Sequence, residues 1–241
     1  MNDTPTIACL HATRGRPEKA LATMRLWAER ATNPGDIEYV LAYERDDTAT
    51  EAHLDRMLPG SKMPWFDGEV VVIRGAFGGS APAWNSAYSA SSGSLLVQVS
   101  DDFVPPQDWD TALLNRLPSM WETENFVIAV NDGLRRDKLM TMFICTRAYA
   151  EQKNEFLHPG YFGLFSDDDV TFTAYKDQSN GNCRVIEARD LLFKHEHHCI
   201  GNQEPDETYR WQSRPEAYAH GKKLFCERHP HAYGKEARLW L

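Results

Sequence analysis

The sequence lacks an apolar run long enough to span a bilayer, a CxxC pair, an internal repeat and a low-complexity tract. Each absence narrows the field. Without about 20 consecutive apolar residues, no segment reads as a transmembrane helix. The opening Met1-Asn2-Asp3-Thr4-Pro5 has neither the basic region nor the apolar stretch of a secretory signal. The expectation is a cytoplasmic protein without membrane insertion. Five cysteines, Cys9, Cys145, Cys183, Cys199 and Cys226, are odd in number and widely spaced. They argue against a disulfide framework or zinc ribbon and for buried, reduced thiols. Positive charge is scarce too: 26 Lys and Arg against 35 Asp and Glu give a formal net charge of −9. The surface as a whole is therefore not a nucleic-acid footprint, although a local basic strip is not excluded.

What is present fits one folded domain. The chain has 241 residues, 42% hydrophobic and 25% charged, the balance of a globular protein. Short apolar segments at 6–11, 37–42, 69–73 and 95–99 read as strands. Between them, helices are expected after Pro17, over 50–58, and through the Ala/Ser-rich stretch that follows Gly78-Gly79. This β-α-β-α-β-α-β alternation implies an α/β fold with a mostly parallel sheet flanked by helices. The second half is less regular, with a helix expected over 109–117 and strands over 126–130, 140–145 and 185–193.

Three acidic or histidine-bearing constellations stand out. The apolar strand at 95–99 runs into Ser100-Asp101-Asp102, and in open α/β sheets ligands bind beyond the carboxyl ends of strands. Paired carboxylates there suit a divalent cation that also takes phosphate oxygens; as turn residues before Pro105-Pro106 they would have only a structural part. Ser166-Asp167-Asp168-Asp169 follows a glycine-interrupted aromatic loop. Ser166 or Asp167 can cap a helix there, which leaves a carboxylate for chemistry. His195-Glu196-His197-His198 comes late; on a strand, His195 and His197 share one face.

Taken in order, these segments resemble the GT-A glycosyltransferases, especially the family 2-like group, over about residues 5–200. In that family a small-residue helix with an Asn precedes a strand ending in Asp-x-Asp; here Ser100 replaces the first carboxylate. The resemblance implies a single GT-A domain: a nucleotide-sugar-binding half (about 1–103), an acceptor half (about 104–203) and a helical tail (about 204–241). It implies a manganese or magnesium ion on Asp102 and on His195 or His197, with Asp101 on the donor side. Thr13, Arg16, Glu44, Asp46 and Asn85 match donor-contacting segments, although Ala12 stands where the family has Pro. Asp169 matches the general base of inverting members, with Asp168 beside it.

The implied reaction moves a sugar from a nucleotide-sugar, a UDP-sugar by preference, to an acceptor hydroxyl with inversion. The acceptor is a glycan or small molecule; a hydroxylated base in DNA is the alternative, because the tail mixes aromatic residues such as Trp211 and Tyr218 with Arg and Lys. Two other classes are carried forward. A metal-dependent phosphohydrolase would also gather Asp and His, and an inert nucleotide-sugar-binding module would keep the donor site alone.

Overall fold

The computed structural model describes residues 6–57, 65–196 and 205–232. Strands β1 (Ile7–Thr13), β2 (Ile37–Glu44) and β4 (Leu95–Val99) are buried along their whole length. Such continuous apolar runs are what a parallel sheet covered on both faces requires. With β3 (Glu69–Gly75), β6 (Phe126–Asn131), β7 (Ile144–Thr146) and β8 (Arg184–Leu192) they form a seven-stranded sheet, ordered β3-β2-β1-β4-β7-β6-β8. Pairing is parallel except around β7, which runs antiparallel to both β4 and β6. The expected α/β sheet is present. Strand order reverses its direction of growth between β1 and β4, so a crevice opens beyond their carboxyl ends.

Helices α1 (Pro17–Glu29), α2 (Thr48–Met57) and α3 (Ser80–Ala90) link the first four strands. Helix α3 buries Ala81, Ala83 and Ala87, small side chains that let it lie close on β1 and β2. Gly79 precedes it for a steric reason: a Cβ there would lie 2.0 Å from the Phe162 carbonyl oxygen. Two indoles pin strand residues near the crevice, and a third braces one of them. Trp84 donates to the Val99 carbonyl, Trp27 to that of Phe103, and Trp109 to that of Trp27.

The second half departs from expectation in three places. Residues 140–143 are loop rather than strand, because Met140 and Phe143 give their N–H groups to the side chains of Thr171 and Gln98. The helix expected over 109–117 is the shorter α4 (Trp109–Leu114). The strand expected to reach Phe193 stops at Leu192, and β9 (Lys194–His195) pairs antiparallel with β5 (Phe103–Val104). Helix α5 (Arg147–Lys153) follows β7, and α6 (Ser166–Ser179) packs under the tail helix α8 (Pro215–Arg228), which buries Phe225. The short α7 (Glu207–Gln212) lies between β9 and α8 in sequence. Cys9 and Cys145 are buried thiols, whereas Cys183 and Cys226 are partly exposed; Cys199 lies outside the described residues. No helix among the described residues is long and apolar enough to cross a membrane.

Candidate active site

The β5–β9 ribbon begins right after Asp102 and carries His195 back beside it. Phe103 and His195 are register partners with stacked rings, and Glu196 N–H donates to the Asp102 carbonyl. His195 Nε2 thereby sits 3.3 Å from Asp102 Oδ2. Burial alone would raise the Asp102 carboxyl, but His195, Ser100 and Arg16 together hold it down to about 2. The pair opens on a cavity of about 220 Å³ that Thr13, Arg16, Glu44, Trp84 and Asp101 also line.

Asp101 has a different part. Oδ1 takes the His11 Nε2 proton at 2.9 Å, Oδ2 takes the Thr13 hydroxyl at 3.0 Å, and Arg16 stands 3.8 Å away. A carboxylate only accepts, so His11 carries its proton on Nε2 and accepts from Tyr39 at Nδ1 over 2.8 Å. This Tyr39-His11-Asp101 chain braces the floor of the crevice. Sequence reading passed over His11, since one histidine inside an apolar strand names no partner.

The other donor-side residues are brought together unevenly. Arg16 also pairs with Asp206 just before α7, and Thr208 on α7 donates to the Arg14 carbonyl. Glu44 lines the cavity, yet its oxygens accept from the N–H groups of Phe77 and Gly78 and so hold the turn before α3. Asp46 is exposed and pairs with Arg14, whose guanidinium lies over Trp211. Asn85 does not line either cavity. Its amide exchanges two hydrogen bonds with the Leu157 backbone and ties α3 to the loop after α5.

A second cavity of about 150 Å³ adjoins the first, sharing Trp84, Gln98, Thr141 and Trp211 as walls. Ser166 and Asp167 line it; Asp168 and Asp169 do not. Helix α6 has no side-chain cap, contrary to expectation: Phe165 occupies the cap position at φ 70°, and the Ser166 hydroxyl donates back to Gly163. Asp169 points the other way and is 3% exposed. It accepts from Arg228 at 2.7 Å, His229 at 2.7 Å and Tyr161 at 3.1 Å. Asp169 lines neither cavity, and this engagement with three side chains favours Asp167, which does line one, as the base. Burial would raise its carboxyl, but His229 and Arg228 hold it below the usual range. Asp169→Ala is expected to cost about 3–5 kcal/mol of stability by stranding Arg228 and His229, read as a lowered denaturation midpoint.

Asp167 and Asp168 are shifted the opposite way. Burial pushes both carboxyls up, and the neighbouring charge of Asp167 adds to the rise at Asp168. Arg135 offsets part of it.

The donor set of Asp102 and His195, one carboxylate and one imidazole, suits manganese, with magnesium the harder alternative. Among the described residues no group of three or more such side chains gathers, so phosphate oxygens or water would complete the shell. His197 lies outside the described residues.

No family model matches the chain, and no curated protein does. Solved structures do. Residues 1–349 of TarS from S. aureus align with a TM-score of 0.62 at 12% identity, covering 96% of this chain and 73% of that one. The same TarS segment in complex with UDP-GlcNAc gives 0.56 at 11% identity, over 96% and 74%. The mannosyltransferase PcManGT from Pyrobaculum calidifontis, in complex with GDP-Man and Mn2+, gives 0.59 at 13% identity, over 98% and 78%. The TM-scores and the share of both chains covered show that this protein has a GT-A-like glycosyltransferase fold.

Proposed function

We propose that this chain is a metal-dependent glycosyltransferase that moves a sugar from a nucleotide-sugar to an acceptor hydroxyl by a single, inverting displacement. The observation that carries the reading is the pair Asp102–His195 opening on one cavity while Asp167 lines the cavity next to it. A cation on Asp102 and His195 would stabilise negative charge on the departing diphosphate. Arg16 adds a fixed positive charge on the same wall.

On the acceptor side, Asp167 takes the proton of the acceptor hydroxyl as its oxygen bonds to the anomeric carbon. The bond from that carbon to the diphosphate oxygen breaks, and the nucleoside diphosphate leaves. Attack from the face opposite the leaving group inverts the centre. UDP-sugars are the first donors to try, because TarS structures include UDP and UDP-GlcNAc complexes; the GDP-Man complex of PcManGT makes GDP-sugars the second.

The test is calorimetric titration with UDP- and GDP-sugars in the presence of manganese, followed by donor hydrolysis. One donor should bind and be slowly hydrolysed. Cleavage of simple phosphate esters would instead establish a phosphohydrolase, and binding without hydrolysis or transfer an inert module.

A further inference from the structure

Strand β4 reads Leu-Leu-Val-Gln-Val, and its one polar side chain, Gln98, is 6% exposed. Leu96 and Gln98 project to the face that α3 covers, so an aliphatic residue would pack at 98 as Leu96 does at 96. Gln98 nevertheless lines both cavities of the site. Its orientation is fixed: Oε1 accepts the Phe143 N–H at 2.7 Å, while the backbone N–H of Gln98 donates to the Phe143 carbonyl at 2.9 Å. With Oε1 committed, the amide NH2 is turned to the wall that the two cavities share. Among the described residues, no acceptor takes it.

Two of the other groups on that wall are already satisfied. Trp84 has given its indole N–H to the Val99 carbonyl, so it offers the cavities ring carbons only. Thr141 has given its hydroxyl proton to Asp132 Oδ2 at 2.8 Å, so its oxygen can only accept. Beside Ser80, Trp211 and Gln212, which line both cavities too, the wall presents the donor Gln98 Nε2 and the acceptor Thr141 Oγ1. A sugar hydroxyl accepts one hydrogen bond and donates another, which is what these two groups supply between them. A phosphate oxygen could use the donor but would meet the Thr141 oxygen without a proton to share.

We propose that Gln98 is a specificity-determining residue whose NH2 donates to a hydroxyl oxygen of the transferred sugar. The inference rests on the glycosyltransferase reading and adds to it the group that inspects the sugar ring. The NH2 faces the cavities, and a ligand that displaces water from it without offering an oxygen leaves the donor unpaired, which costs free energy. The wild-type site therefore penalises a sugar that lacks the oxygen at that position.

The test uses UDP-glucose, UDP-N-acetylglucosamine and GDP-mannose with manganese, and then the monodeoxy analogues of whichever binds. Wild type should lose about tenfold or more in affinity for one monodeoxy analogue. Gln98→Met should bind that analogue and its parent equally, while binding the bare nucleoside diphosphate as wild type does. Gln98→Glu keeps the bond to Phe143 and carries the same comparison if the Met variant does not fold. A parent-to-deoxy ratio unchanged in both variants at every ring position overturns the proposal. So does a wild type that ignores every deoxy substitution. A wild type that binds no nucleotide at all instead overturns the glycosyltransferase reading beneath it.

Discussion

Asp102→Ala is expected to abolish the manganese dependence of nucleotide binding and to lower transfer by about a thousandfold or more, the loss of several kcal/mol of charge stabilisation at the leaving diphosphate. After the substitution, His195 alone would remain of the two proposed cation ligands. Arg16 would still attract the diphosphate, so some metal-independent affinity should persist. The readout is the ratio of nucleotide affinities measured with manganese and with a chelator. In the variant that ratio should fall to one; a ratio kept at the wild-type value excludes Asp102 as a principal ligand.

The same substitution has a stability cost that must be separated from it. Asp102 has its carboxyl held near 2 in the folded state, below the ordinary value of about 4. Its folded pKa is depressed, so its contribution is present above about pH 4 and is lost as pH falls toward 2. At neutral pH Ala forfeits that contribution, on the order of 2 kcal/mol. Asp102→Asn, which keeps the volume, provides the second arm. Both variants should unfold cooperatively, with midpoints lower than wild type at pH 7.

How far the sequence led depended on whether partners lie near one another along the chain. The parallel first half was legible because each strand is a short, mostly apolar run bounded by turn residues. Asp102 was legible because a strand that ends on carboxylates is a local signal. The pairing with His195 depended on the β5–β9 ribbon, two residues to a side and invisible to periodicity. His11 and Gln98 were not legible at all: each is one polar residue in an apolar strand, and its meaning lies in partners 90 and 45 positions away. The choice among the three aspartates turns on a different feature. The sequence suggests a Ser166 or Asp167 cap, but Phe165 takes the cap position. Residues two apart on a helix point about 200° from each other. Asp169, the residue the sequence favours, therefore lies on the face opposite the proposed base Asp167, where Arg228 and His229 hold it.

That geometry makes Asp167→Asn the second decisive substitution. Asn keeps the shape beside the second cavity, the proposed acceptor side, but cannot take a proton. Donor binding, which depends on the neighbouring cavity, should be unchanged, and transfer should fall by about 10²–10⁴-fold, the range for losing a positioned general base. The pH profile supplies a control that mere damage to the site would not reproduce. Burial raises the Asp167 carboxyl, so the wild-type base loses its proton above the ordinary carboxylate range, and transfer should climb with pH as it does so. Because Asp168 titrates with it, the climb belongs to the pair. In Asp167→Asn the residual rate should lose that climb, whereas Asp168→Asn should keep one, because burial by itself raises the Asp167 carboxyl. Asp169→Asn should leave the profile in place while lowering stability. A wild-type profile retained in Asp167→Asn would move the base elsewhere in the acceptor cavity.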